Sequence, residues 1–182
     1  MEDLSGIMLP DKIFFTGVPG SRWSGIAQDI KKDPAYNCSD RTDHRKYYHN
    51  GYSGHCDAYF GTGMEFSCDL NEENLNAPFL EHKGTKLLLS HEWCYYFDKI
   101  RSKYPKDWIY LIYRNNEDSF SWWKQAGGFD ITYPNYDWYE DDKIMQQRIT
   151  EQNNLILSFA AKHDLVWKQN KKHHDIFYTI LK

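Results

Sequence analysis

The amino-acid sequence predicts an α/β fold of three layers, a central mostly parallel sheet between helices, and three observations carry that prediction. Short apolar runs at residues 12–16, 86–90 and 108–113 are nearly continuous rather than alternating, as strands buried on both faces must be. Segments with helical periodicity separate them. The chain has 182 residues, 41% of them hydrophobic and 17% aromatic, which is enough for one core without disulfides or a structural metal. A single domain over residues 1–182 follows, with a loop-rich insertion at about 33–83.

Taken in order, Ile13-Phe14-Phe15 is β-favouring and is closed by Gly17, which marks a buried strand. Residues 24–32 read as a helix, with Ser24 as N-cap and Ile26, Ala27 and Ile30 on one face. From Asp33 to about Lys83 the chain is polar and rich in Gly and His, and reads as loops with short helical pieces. A loop of that length inside a domain usually serves function. Residues 86–90 form the second strand, and 93–103 a helix that ends before Pro105. Residues 108–113 form the third strand, with Arg114 at its carboxyl end. Residues 117–125 are helical and stop at Gly127-Gly128. The longest helix runs over 141–163, with Ile144, Ile149, Leu155, Ile156 and Phe159 on its apolar side, and 175–181 is the last strand.

Charge excludes some partners. With 22 basic and 26 acidic residues, a net −4, the surface suits neither nucleic acid nor an anionic membrane, although a local basic pocket is allowed. No run of 18 apolar residues exists, and the opening stretch MEDLSGIMLPDKIFF lacks the charged start and apolar run of a signal peptide. Cys38, Cys56, Cys68 and Cys94 form no C-x-x-C pair, so reduced thiols in a cytoplasmic protein are expected.

In parallel sheets ligands bind beyond the carboxyl ends of the strands, which singles out three segments. The first is Gly17-Val18-Pro19-Gly20-Ser21-Arg22-Trp23-Ser24. A strand, a Gly/Pro turn and a helix start aim backbone N–H groups at one point and so suit phosphate, with Arg22, Ser21 and Ser24 adding donors. The competing reading is an ordinary glycine turn with a capping serine. The loop is no Walker A motif, which would need Gly at Arg22 and Lys at Trp23; only Ser24 fits. No strand ends in an Asp that could hold Mg²⁺, so the expected site is a metal-free anion site. The second segment is Arg114 followed by Ser119 and Ser121, a guanidinium fork with hydroxyls for another oxyanion. Its alternative is a salt bridge to Glu117 or Asp118. The third is His91, whose neutral imidazole could take a proton from an attacking hydroxyl. His44, His49, His55, Cys56 and Cys68 match no standard zinc spacing. Aromatics at Tyr47, Tyr48, Tyr52, Tyr59 and Phe60, and at Trp122, Trp123, Tyr133, Tyr136, Trp138 and Tyr139, suit an acceptor pocket or a core equally.

Together the three segments resemble the sulfotransferases that use 3′-phosphoadenosine 5′-phosphosulfate. Residues 16–24 are similar to the family's 5′-phosphosulfate loop, roughly T-x-P-K/R-S-G-T. Leu89-Ser90-His91 is similar to its K-T-H element, and residues 108–121 to its 3′-phosphate element, an apolar strand followed by R-N-P-x-D and a serine. Gly20 and Leu89 stand where the family has basic residues, Trp122 stands where it has the serine, and its C-terminal R-K-G-x-x-G-x-W-K segment has no counterpart beyond Trp167-Lys168 and Lys171-Lys172. The resemblance implies a P-loop-like sulfotransferase fold. It also implies transfer of a sulfuryl group to a hydroxyl or amine of a small-molecule or glycan acceptor, without metal. His91 would be the base, with Glu92 or Glu65 as alternatives. Arg22 and Ser21 would stabilise the leaving phosphate, and Arg114 with Ser121 or Ser119 would clamp the 3′-phosphate. The alternatives are a nucleotide-binding protein of the same fold without turnover, and a nucleotide kinase or phosphotransferase.

Overall fold

The computed structural model describes residues 8–30, 32–37, 70–76, 79, 83–130 and 141–182. Its strands are β1 (Lys12–Thr16), β2 (Tyr36–Asn37), β3 (Thr85–Leu89), β4 (Trp108–Arg114), β5 (Lys168–Gln169) and β6 (Ile176–Leu181). Its helices are α1 (Trp23–Ile30), α2 (Glu72–Asn76), α3 (Phe97–Lys103), α4 (Asn116–Gln125) and α5 (Asp142–Lys162). They build an α/β fold around one six-stranded sheet of order β2-β3-β1-β4-β6-β5.

Every residue of β1 and β3 is buried. Alternate side chains therefore serve two cores, as the pleat requires. Phe14, Leu88, Ile109 and Leu111 pack with Trp93, Ile100, Trp123, Ile149 and Phe159 on one face. Ile13, Phe15, Leu87, Leu89 and Ile112 pack with Trp23, Ile26, Ala27 and Ile30 of α1 on the other. Burying each such ring or branched chain is worth roughly 1.5–3 kcal/mol, so this double burial is what holds β1 at the centre.

The sheet is mixed. β2, β3, β1 and β4 run parallel, but β6 lies antiparallel to β4, and β5 antiparallel to β6. The β5–β6 pairing has a local reason: residues 170–175 make a tight turn, with Asn170 N–H donating to the Ile176 carbonyl at 2.8 Å and Ile176 N–H to the His173 carbonyl at 3.0 Å. Strands joined by so short a turn can pair only antiparallel.

Three boundaries depart from expectation. The helix expected over 93–103 is a 3₁₀ turn, His91–Tyr95, followed by α3. The Ser90 hydroxyl accepts from Glu92 N–H at 3.1 Å, which ends β3 and starts that turn. Ser24 does not cap α1, which begins one residue earlier at Trp23, after a left-handed Arg22 (φ 60°). Within 33–83 α2 is a short helical piece of the expected kind, whereas β2 is an edge strand that the expected loops did not include, too brief to leave a periodic signal.

At the amino edge of the sheet Lys12, 5% exposed, pairs with Asp11 at 2.6 Å and Glu72 at 2.7 Å. Lys86 reaches Asp11 at 3.3 Å and Asn76 at 2.7 Å. That edge is committed to docking α2. Among the described residues no helix is long and apolar enough to cross a membrane, and Cys94 is a buried thiol whose Sγ donates to the His91 carbonyl at 3.1 Å.

Candidate functional site

The opposite, carboxyl edge carries the loop from Gly17 to Arg22. Ser21 N–H donates to the Val18 carbonyl at 3.0 Å, closing a turn in which Pro19 presets one φ and Gly20 takes φ +76°. A Cβ on Gly20 would stand 1.8 Å from the Ser119 carbonyl oxygen, so the loop lies directly on α4. On Gly17 it would meet Ser21 Oγ at 2.7 Å and Trp23 Cβ at 2.9 Å. Both glycines are therefore required by contact. Arg22 is held in a conformation uncommon for a residue with a side chain, and its carbonyl accepts from Ile26 N–H at 3.1 Å, the first bond of α1.

His91 does not open onto the crevice. It is 2% exposed and lies under the loop, its Nδ1 2.5 Å from the Gly17 carbonyl oxygen. A carbonyl only accepts, so Nδ1 carries the proton and Nε2 is the ring nitrogen with a lone pair. The ring meets Trp23 edge to face at 4.5 Å. Burial, only partly offset by the Gly17 bond, depresses its pKa to about 4 and keeps the imidazole neutral. His91 thus props up the loop that it was expected to face across open space.

Arg114 joins the loop to its neighbour strands. Its NH1 donates to the Gly20 carbonyl at 3.1 Å, and its NH2 lies 2.5 Å from an Asp175 oxygen. The salt bridge predicted as the alternative partner exists, but its acceptor is Asp175 at the start of β6 rather than Glu117 or Asp118. Asp118 instead engages Asn115, whose side chain caps α4. The Trp122 ring faces both cations, Arg22 at 4.2 Å and Arg114 at 5.8 Å. Desolvation, and then the Arg114 charge, push the Arg22 guanidinium down from its usual range. Ser21 Oγ and Arg114 Nε are buried and have no hydrogen-bond partner among the described residues. Each such orphan costs about 1–3 kcal/mol, a cost that an oxyanion bound by the loop would remove.

The structure therefore brings Gly17, Pro19, Gly20, Ser21, Arg22, Arg114 and Ser119 together. Ser119 is fully buried and its hydroxyl donates to the Arg114 carbonyl at 3.3 Å. Ser121 is not brought in: it is exposed and accepts from Gln125 at 3.2 Å. Two helical positions separate it from Ser119, which turns it to a different face. Trp23 is core, stacked on Phe15, and Ser24 lies in the first turn of α1. Lys171 and Lys172 are exposed on the turn before β6, with Lys172 3.4 Å from Asp29. Sequence reasoning missed Asp175, which reaches Arg114 only through the β4–β6 pairing. It placed Trp122 in an acceptor pocket or the core rather than against the two cations. Glu65, the His44, His49, His55, Cys56 and Cys68 group, and the rings at 47–60 and 133–139 lie outside the described residues. Among the described residues no group of three or more His, Cys, Asp and Glu side chains gathers as metal ligands would. Compared with family models, curated proteins and solved structures, the chain has no match.

Proposed function

We propose that this protein is a P-loop-like sulfotransferase that moves a sulfuryl group from 3′-phosphoadenosine 5′-phosphosulfate to a hydroxyl or amine of a small-molecule or glycan acceptor. The observation that supports it is the pair Arg22 and Arg114. Arg22 closes the loop that follows β1 and carries Ser21 with its orphaned hydroxyl, Arg114 ends the adjoining β4, and the two share the Trp122 ring. Like charges gathered with unsatisfied donors are what a ligand carrying several phosphate oxygens requires. Bound there, the donor supplies the sulfuryl group: a bond forms from acceptor oxygen or nitrogen to sulfur, and the bond from sulfur to the 5′-phosphate oxygen breaks. The loop N–H groups, Ser21 and Arg22 would meet the charge left on that oxygen. Arg114 would hold the 3′-phosphate, with Ser119 bracing the Arg114 backbone from α4. The acceptor's proton would go to His91 Nε2 once the loop that covers it lifts, with Glu92 as the nearby carboxylate alternative.

A second reading is favoured by two observations. His91 is buried with a pKa near 4, a weak base, and Gly20 and Leu89 lack the family's basic side chains. Both suit a protein that binds the nucleotide without turnover. A thermal-shift titration with 3′-phosphoadenosine 5′-phosphate, against AMP and Mg·ATP, tests the site first. A ligand at 100 times its Kd adds about 2.7 kcal/mol. Stabilisation by the bisphosphate alone upholds the site, and its release from the phosphosulfate in an acceptor panel then separates enzyme from binder. Stabilisation by Mg·ATP instead would make the protein a kinase or phosphotransferase.

A further inference from the structure

We propose that the cavity between α1 and the 170–173 turn binds a planar aromatic acid, its ring laid on Tyr178 and its carboxylate held at Lys171 and Lys172. The cavity measures about 500 Å³, within the roughly 300–1,000 Å³ of small-molecule sites. It exists because the two faces of the sheet are covered unequally. Side chains of α3, α4 and α5 pack on one face, whereas among the described residues α1 is the helix on the other. Ile26 and Ile30 of α1 are buried there, but Tyr110 of β4 and Tyr178 and Ile180 of β6 lie beyond the helix and are only partly covered. No residue of the Gly17–Arg22 loop lines the cavity, nor do Arg114 and Asp175. It is thus a separate site from the one described above.

Two features identify the ligand class. The first is a run of nearly parallel rings. Phe15 stacks on Tyr110 at 4.6 Å and 25°, and Tyr110 on Tyr178 at 5.7 Å and 17°. Phe15 is fully buried, but the run ends at Tyr178 on the cavity wall, where a further flat ring can continue it. A planar ligand gains that contact and a puckered one does not. The second feature is the charge at the rim, where Lys32, Lys171 and Lys172 face Asp29 and Asp33. Asp29 serves both Lys32 at 2.6 Å and Lys172 at 3.4 Å, and Asp33 accepts from Ala35 N–H at 2.9 Å. Lys171 has no ion pair among the described residues, so the rim lacks an anion. The Lys172–Asp29 contact joins the two walls, turn to helix, with the side chains 71% and 41% exposed. Such a pair is weak and yields to an incoming carboxylate. Burial, then the Arg22 and Lys172 charges, hold His173 below its ordinary range, so this wall residue is neutral at pH 7.5 and leaves the lysines to set the charge.

Titration calorimetry on the full chain at pH 7.5 tests this with 2-naphthoate, against cyclohexanecarboxylate, a puckered anion, and 2-naphthalenemethanol, a neutral ring. Wild type should bind 2-naphthoate at least about tenfold tighter than either. Tyr178→Leu keeps an apolar wall without the ring, and should weaken 2-naphthoate at least about fivefold while cyclohexanecarboxylate stays within about twofold. Lys171→Gln together with Lys172→Gln should bring 2-naphthoate to within about threefold of the neutral ring. Both lysines are exposed, so this variant should melt within a few degrees of wild type and carries the test if Tyr178→Leu does not fold. No binding of 2-naphthoate, equal binding of the neutral ring by wild type, or unchanged affinity in the lysine variant overturns the inference. So does complete displacement of 2-naphthoate by saturating 3′-phosphoadenosine 5′-phosphate, which would make the cavity part of the anion site. An affinity within about threefold in its presence upholds a separate site. A bisphosphate that does not bind would fell the sulfotransferase reading, while 2-naphthoate binding would still uphold the cavity.

Discussion

Gly20 and His91 hold the loop from above and below, and each makes a prediction at the scale of one residue. Gly20→Ala places a methyl group 1.8 Å from the Ser119 carbonyl at φ +76°, a position with neither room nor conformational tolerance. Urea unfolding should show a loss of at least ~2 kcal/mol, with loss of bisphosphate binding; near-wild-type stability would mean that loop and α4 are not in contact. His91→Asn retains an N–H donor for the Gly17 carbonyl but removes the basic nitrogen. Bisphosphate affinity should stay within about threefold, while turnover falls at least ~100-fold if Nε2 takes the proton. Equal turnover in the variant would leave His91 a positioning residue alone.

At the scale of an element, α4 supplies both the contact under Gly20 and the ring under the cations. Its N-cap, Asn115, accepts from Asp118 N–H at 2.8 Å and sets the helix to start directly after Arg114. Asn153 on α5 donates to the Arg114 carbonyl at 2.9 Å and to Asn116 at 2.7 Å, locking strand end to helix start. Trp122 is partly exposed and Trp123, one position on, is buried, so the first acts on the site and the second on the core. Trp122→Leu should weaken bisphosphate binding about 3- to 30-fold, the range of a cation–π contact. The melting temperature should shift little, because the core partner is untouched. A large loss of stability with unchanged affinity would assign Trp122 to packing instead.

For the whole molecule, His91 links the site to acid stability. An unfolded chain protonates this histidine near pH 6.5, whereas the fold holds it neutral to about 4. Above pH 6.5 the group is neutral in both states and costs nothing. Below it the unfolded chain gains the proton first, so stability is lost progressively from pH 6.5 to about 4, by about 3 kcal/mol in all. Urea unfolding at pH 7.5 and 4.5 should show that loss in wild type and markedly less in His91→Asn. An equal slope in both would assign the acid sensitivity to the carboxylates at the amino edge, where the neighbouring Lys12 holds Asp11 and Glu72 low against the opposing effect of burial.

The sequence by itself determined the α/β character, the positions of the three central strands along the chain, the longest helix, and the two segments that hold Arg22 and Arg114. Each rests on local information: continuous apolar runs, helical periodicity and glycine turns are written in adjacent residues. Tertiary structure alone decided that β6 runs against β4, because strand direction follows from which strands pair and not from the residues of one strand. It alone made Asp175 the partner of Arg114, a contact 61 positions apart that exists only through the β4–β6 register. It turned His91 from an open crevice to a buried prop, since the same His beyond a strand can face outward or inward, and the Gly17 carbonyl with the Trp23 ring drew it inward. It also turned the Ser119 hydroxyl into the fold and Ser121 to solvent, because which of them faces β4 depends on how α4 is rotated.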